Sequence, residues 1–113
     1  MIIYGIKNCD TVKKACRWLN DNGIVFEFHD FRVDGLTENT INEWLKTVTW
    51  QDLLNRKSTT WRQVDPAQRD ALNADSAIQL MLTSPTIIKR PVLVNGDKII
   101  IGFNEQNYMT LLK

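Results

Sequence analysis

The hydrophobic pattern changes twice within the first 31 residues. Ile2–Ile6 is a short apolar run rich in β-branched side chains, which predicts a buried strand. An apolar face then recurs at helical spacing, and it consists of Val12, Ala15, Cys16 and Leu19. Gly23 can stop this helix, and alternating Phe26 and Phe28 predict a second strand within Ile24–Phe31. This strand–helix–strand order favours a parallel pair with a right-handed connection.

The middle of the chain has the pattern of several short helices. Thr37 can cap a helix whose apolar face is Ile41, Trp44, Leu45 and Val48. Thr49 can cap a shorter helix containing Leu53 and Leu54, and Asn55–Gln63 has the composition of a polar loop. Asp65 and Pro66 fit an N-cap and a first helical position, and a last helix ends at Ser84. These helices predict one insertion over about 37–84.

The end of the chain returns to a strand pattern. Two apolar runs, Val92–Val94 and Lys98–Ile101, flank a turn signal at Asn95–Asp97 and predict an antiparallel hairpin. Gly102 ends the second run, and Tyr108, Leu111 and Leu112 suit a terminal helix that covers one face of the sheet. The order of elements predicts an α/β, thioredoxin-like (glutaredoxin-like) domain over 1–113, with a four-stranded mixed sheet and a helical insertion. Fold alone does not define a function.

Composition narrows the class of protein. The chain has 113 residues, of which 43% are hydrophobic and 24% charged, as is ordinary for one globular domain. A formal net charge of +1 supplies no broad basic field, so we expect no nucleic-acid partner. No apolar run has the length of a signal segment or a membrane helix. We therefore expect a cytoplasmic monomer without a membrane partner.

Cys9 lies between the first strand and the first helix. Unpaired backbone N–H groups at the start of a helix stabilise a nearby anion, so a thiol there ionises below its free pKa of about 8.5. Asn8 or Asp10 can cap the helix, and Asn8, Asp10 and Thr11 form the predicted environment of the thiolate. Cys9 is thus a candidate nucleophile. The alternative is a buried structural cysteine.

The second cysteine does not form a C-x-x-C motif with the first. Val12 stands where that motif would place it, and Cys16 lies two helical turns, roughly 10 Å, from Cys9. A disulfide needs Cα atoms within about 7 Å, so an internal bridge would require unwinding. A covalent adduct on Cys9 would then be released by an external thiol such as glutathione, by another protein, or by a rearranged Cys16. With a single histidine and two separated cysteines, no metal site is expected.

Arg56 and Arg90 lie in predicted loops beside the sheet. Their guanidinium groups could bind an oxyanion or a glutathione carboxylate bidentately, or they could be solvated surface charges. Pro91 precedes a strand, where a cis peptide could present backbone groups to a thiol substrate. A trans proline at the strand edge is the alternative.

Three segments carry a resemblance to a known family: Tyr4–Lys14, Phe31–Leu36 and Arg90–Leu93. Together they resemble the arsenate reductase (ArsC) and Spx family, and most closely its YffB-like branch, over nearly the whole chain. The resemblance implies that Cys9 is the nucleophile, that Arg56 and Arg90 bind anions, and that glutathione or glutaredoxin supplies reducing equivalents. Glutaredoxin-linked arsenate reductases typically have a further arginine where this chain has Ile101–Asn104. Spx-like regulators often carry the C-x-x-C motif that is absent here.

The expected function is therefore a glutathione-dependent thiol oxidoreductase with one nucleophilic cysteine, acting on a small substrate or a protein. Two alternatives stay open. One is an arsenate reductase that uses glutathione and glutaredoxin. The other is an Spx-like regulator that binds a protein such as RNA polymerase and has no enzymatic activity.

Overall fold

The structure of the protein, a computed structural model, describes residues 1–112. The last residue of the predicted 1–113 domain lies outside this range. The strands are β1 (Ile2–Gly5), β2 (Glu27–Asp30), β3 (Val92–Asn95) and β4 (Lys98–Ile101). The helices are α1 (Asp10–Asp21), α2 (Glu38–Trp44), α3 (Trp50–Leu53), α4 (Thr59–Arg62), α5 (Pro66–Asp70), α6 (Ala74–Thr83) and α7 (Glu105–Leu112), with a 3₁₀ turn at Pro85–Ile87.

The four strands form one mixed sheet in the order β2-β1-β3-β4. β1 pairs with β2 in parallel, with Ile3 opposite Phe28. On its other side β1 pairs antiparallel with β3, with Ile3 opposite Leu93, and β3 pairs antiparallel with β4. The predicted four-stranded mixed sheet is therefore confirmed, as are its parallel pair and its hairpin.

The chain divides into two compact units. The first combines Met1–Gly35 with the chain from Arg90 onward, and the second is Leu36–Lys89. In the first unit, α1 and α7 contribute apolar side chains to a core on the sheet. The buried members of this core are Ile3, Ala15, Trp18, Leu19, Leu93, Ile100 and Tyr108. Burial of these side chains holds β1, α1, β3, β4 and α7 together.

The second unit consists of short capped helices. Thr37, Thr49 and Asp65 occupy the N-cap positions that their spacing predicts, and the side chain of each accepts a backbone N–H. A bridge between Leu54 and Ile88 ties the segment after α3 to the end of the unit. Its buried side chains are Ile41, Trp44, Leu53, Leu54, Ala77, Ile78, Met81, Ile87 and Ile88.

Three local predictions are wrong. The predicted loop Asn55–Gln63 contains α4, which begins where the Ser58 side chain accepts the N–H of Trp61. β2 begins at Glu27 rather than Ile24, because the N–H of Ile24 donates to the carbonyl of Leu19 at the end of α1. Leu111 is 43% exposed and does not cover the sheet. Within residues 1–112, no helix has both the length and the hydrophobicity needed to cross a membrane.

Candidate active site

Cys9 occupies the N-cap position of α1, with extended backbone angles of φ −87° and ψ 123°. Its N–H donates to the carbonyl of Ile6 at 3.1 Å, and its own carbonyl accepts the N–H of Lys13 at 3.0 Å. The prediction that Asn8 or Asp10 caps the helix is therefore wrong. The turn from Ile6 makes the carbonyl of Cys9 the first acceptor of the helix, so Asp10 is already its first helical residue.

The surroundings of Cys9 favour its thiolate. Burial raises the pKa of the thiol, but the N–H of Val12, the hydrogen bond and charge of Arg90, and the N–H of Thr11 together lower that pKa below its ordinary value. The two N–H groups stabilise the sulfur without full capping geometry. The residue itself is half-buried, so part of Cys9 is exposed to solvent.

Of the three residues predicted around the thiolate, Thr11 places its backbone N–H beside Cys9. Asn8 is exposed and lies before the cap, and Asp10 is an exposed acidic residue in the first turn. The sequence prediction missed Val12, which was identified only as part of the apolar face. Its place three residues after the cap could have indicated its role, since the N–H groups at the second and third helical positions point toward a capping side chain.

Arg90 lies two residues before the start of β3, and its guanidinium hydrogen-bonds Cys9. The peptide bond between Arg90 and Pro91 is cis, which answers the question that the sequence left open. Pro91 is buried, and its carbonyl accepts the N–H of Gly102 at 2.8 Å. Pairing of β3 with β1 thus brings the residues before β3 to the end of β1, where the loop carrying Cys9 begins.

Asp30, at the end of β2, holds the loop before Cys9. Its carboxylate accepts the N–H of Lys7 at 3.2 Å and the N–H of Arg32 at 2.8 Å, and the residue is only 7% exposed. The N–H of Phe31 donates to the carbonyl of Gly5 at 2.9 Å, next to the same loop. The sequence did not indicate Asp30, because its role depends on burial and on hydrogen bonds that only the fold creates.

Cys16 has a different environment. Its side chain is half-buried against the core of the first unit, and burial raises the pKa of its thiol. Neither cysteine is in a disulfide. The two thiols therefore differ, because their surroundings lower the pKa of Cys9 and raise the pKa of Cys16.

Arg56 lies in the second unit and is exposed. Its guanidinium carbon is 5.8 Å from the centroid of the Trp61 ring. The predicted role of Arg56 in binding glutathione stays a prediction.

The mixed sheet, with a cysteine where the first strand passes into the first helix, defines an α/β protein of the thioredoxin-like class. The chain belongs to the ArsC family, whose model matches residues 4–111. This finding confirms the resemblance found in the sequence.

Several relatives agree with this assignment. A solved protein named YffB is 41% identical, with a TM-score of 0.93 over 99% of this chain and 98% of its own. An arsenate reductase (ArsC) related protein from Brucella melitensis is 47% identical, with a TM-score of 0.80 over 99% of this chain and 93% of its own. The global transcriptional regulator Spx of Streptococcus mutans is 26% identical over 93% of this chain and 77% of its own length. The family thus includes relatives named for reduction and relatives named for regulation.

Proposed function

We propose that this protein is a thiol oxidoreductase that uses Cys9 as its single nucleophile and glutathione as its co-substrate. The observation that carries the proposal is the support given to the Cys9 thiolate by Arg90 and by the N–H groups of Thr11 and Val12. A thiolate, and not a thiol, attacks disulfides. Cys16, whose pKa burial raises, is poorly suited to the same chemistry.

The proposed reaction transfers two electrons from glutathione to a disulfide substrate. The Cys9 thiolate attacks one substrate sulfur, the S–S bond breaks, and the other half leaves as a thiolate that takes a proton from water. A glutathione thiolate then attacks the substrate sulfur in the mixed disulfide, and Cys9 leaves as a thiolate. A second glutathione releases the remaining substrate thiol and forms oxidised glutathione.

The chain's own residues have distinct roles in this scheme. Arg90 stabilises Cys9 as an anion both before attack and when it leaves, because its hydrogen bond and its charge favour the thiolate. Pro91 presents backbone groups beside the thiol substrate. For Arg56 we propose binding of a glutathione carboxylate. The substrate is a small disulfide or a protein, and glutaredoxin can replace glutathione as the reductant.

The name of the Brucella relative favours a second candidate, arsenate reduction. The Cys9 thiolate would attack arsenic and displace water, and glutathione would then attack the Cys9 sulfur so that arsenite leaves with the electron pair. A second thiol, from glutathione or glutaredoxin, would release Cys9. This chain has Ile101–Asn104 where a third arginine typically occurs, so it has less positive charge for the arsenate. Arsenate-dependent turnover with glutathione and glutaredoxin would identify this activity.

The likeness to Spx favours a third candidate, a regulator that contacts RNA polymerase without catalysis. Such binding would depend on the surface of the protein and not on the thiol. Retention of RNA polymerase in a pull-down with both the unchanged protein and Cys9→Ser, together with no reductase activity, would identify the regulator.

The proposal is tested by alkylation of Cys9 as a function of pH and by the mass of the protein after incubation with oxidised glutathione. We expect a reactive thiol near neutral pH and one glutathione on Cys9. Cys9→Ser should abolish both the adduct and reductase activity, whereas Cys16→Ser should retain most of each. Equal loss in the two variants would point to an internal disulfide, and an ordinary thiol pKa without an adduct would contradict the proposal.

A further inference from the structure

Trp61 lies among positive charges within the second unit. The guanidinium carbons of Arg56 and Arg69 stand 5.8 Å and 5.7 Å from the centroid of its ring. A cation–π contact with an aromatic ring restrains the position of a guanidinium group, whose N–H groups can still donate to an anion. The two guanidinium groups at this ring place several positively charged N–H donors near each other.

The charge of these two arginines is not offset by an acidic side chain of the described residues. Among residues 1–112, neither guanidinium is within ion-pair distance of an acidic side chain. Asp65, one helical turn before Arg69, directs its carboxylate to the N–H of Ala67 at 3.0 Å and so caps α5. The positive charge of the arginine pair is therefore available to a ligand from outside the chain.

The Nε of Arg69 provides an independent observation. This nitrogen is buried and has no hydrogen-bond partner among the described residues. A buried donor without an acceptor is destabilising, and a ligand oxygen that bound it would remove that penalty. The position of Arg69 is fixed by its backbone N–H, which donates to the carbonyl of Asp65 at 3.0 Å.

Hydrogen bonds also fix the backbone around Arg56 and Trp61. The N–H of Trp61 donates to Ser58 Oγ at 3.1 Å, and that hydroxyl donates to the carbonyl of Asn55 at 2.7 Å. The N–H of Asn55 donates in turn to the carbonyl of Ile87 at 2.8 Å. The segment that carries Arg56 and Trp61 is thus held in place before any ligand binds, which lowers the entropy cost of binding.

We infer that Arg56, Trp61 and Arg69 form a binding site for a carboxylate group of a small molecule or peptide. A carboxylate is planar, and its two oxygens match the Nε–Nη edge of a guanidinium group that lies against an aromatic ring. The inference rests on the proposed function only for the role of Arg56, and it adds Arg69 and Trp61 as residues that recognise the carboxylate.

Titration with sodium succinate, followed by the NMR signal of the Arg69 Nε–H and by tryptophan emission, tests this site. At constant ionic strength, succinate should shift the Nε–H signal downfield and change the emission, whereas chloride should do neither. Arg69→Gln and Arg56→Gln should each weaken succinate binding about tenfold or more, the usual effect of losing a charge-assisted hydrogen bond. Arg69→Lys should not restore it, because a lysine keeps the charge but lacks the planar edge.

Arg62→Gln is the matched control, since Arg62 is an exposed arginine in the same short helix as Trp61. It should bind succinate like the unchanged protein. Equal loss in Arg62→Gln would mean that general charge attracts the anion, and tighter binding of inorganic phosphate than of succinate would assign the site to phosphate. Either result, or no shift at all, overturns the inference. The probe has no thiol, so its outcome is independent of whether Cys9 acts as a nucleophile.

Discussion

Gly5 and Val12 lie so close together that no residue with a Cβ atom fits at position 5 unless Val12 moves. A methyl group on Gly5 would stand 2.7 Å from Cγ2 of Val12 and 3.3 Å from its Cγ1. Val12 is 1% exposed, and its N–H helps to stabilise the Cys9 thiolate. The close approach of β1 to α1 therefore also sets where the hydrogen-bond donors of the thiolate lie.

Gly5→Ala should destabilise the protein by about 1–3 kcal/mol, because a stiff β-branched side chain must move to admit the methyl group. The displacement of Val12 should also slow alkylation of Cys9 at neutral pH. Both effects can be measured, by urea unfolding and by the rate of alkylation. Val12→Ala removes the two clashing methyl groups, so the double variant should lose less stability than the two single losses combined. If the stability losses of the two single variants simply add in the double variant, the contact with Val12 is not what excludes a larger residue at position 5.

Arg90→Gln should move the pH profile of Cys9 alkylation to higher pH. The charge and the hydrogen bond of Arg90 both favour the thiolate of Cys9. Because the substitution removes the charge and weakens the hydrogen bond, the pKa of Cys9 rises and less thiolate is present at neutral pH. Alkylation should be several-fold slower at pH 7 and equal to that of the unchanged protein at high pH. Arg32→Gln removes an exposed arginine of the same unit and should leave the profile in place. An unchanged pH profile in Arg90→Gln would show that Arg90 does not stabilise the Cys9 thiolate.

Asp30→Ala should release the loop that precedes Cys9, because two backbone N–H groups lose their acceptor. We expect a loss of about 1–3 kcal/mol in the free energy of unfolding and a shift of Cys9 alkylation to higher pH. Removing a negative charge would by itself lower the pKa of a nearby thiol, so a shift to higher pH identifies positioning as the cause. Asp30→Asn, which retains one acceptor oxygen, should be intermediate.

Asp21→Ala serves as the control for Asp30, since Asp21 is an exposed acidic residue at the end of α1. It should change neither stability nor the alkylation profile measurably. A shift to lower pH in Asp30→Ala would mean that Asp30 acts through its charge alone.

Tyr108→Phe should make the protein more resistant to alkaline pH. The Tyr108 hydroxyl is buried without a partner among residues 1–112, while the ring makes edge contacts with Trp18 at 5.6 Å and Phe103 at 4.9 Å. Burial, and then the negative charge that Cys16 carries when it is ionised, raise the pKa of Tyr108. The unfolded chain releases this proton near pH 10 and the folded protein does not, so stability falls as the pH rises above that value.

Phenylalanine keeps the ring contacts and removes the titrating group. Thermal unfolding between pH 8 and about 11 should therefore show a smaller decline for Tyr108→Phe, with equal or higher stability at pH 8. A loss of more than about 1 kcal/mol at pH 8 would instead show that the hydroxyl has a hydrogen-bond partner.

Much of the fold was predictable because local signals and hydrophobic periods agree. The turn at Asn95–Asp97 between two apolar runs defines the hairpin, and Thr37, Thr49 and Asp65 mark the starts of helices. α4 was missed because its four residues are mostly polar and its apolar spacing covers a single turn. The start of β2 depends on a hydrogen bond from Ile24 to the end of α1, which no strand pattern reveals.

The site was predictable only in part, because its members come from distant segments. The place of Cys9 at a strand–helix boundary follows from periodicity, whereas its contact with Arg90 depends on how β3 pairs with β1. The predicted place of Arg90 in a loop beside the sheet made it a candidate for binding an anion, and family resemblance pointed to the same residue, but no local pattern indicated its contact with Cys9. Asp30 and Arg69 were missed because an acid or a cation acquires its role from what surrounds it in the fold.

The two outer strands of the sheet have a consequence for aggregation. β2 and β4 lie at the edges, each is four residues long, and each begins with an exposed charged residue, Glu27 or Lys98. Short edges with charged side chains are poor templates for a strand of another molecule. Extension of the sheet from one copy of the protein to the next is therefore disfavoured at both edges.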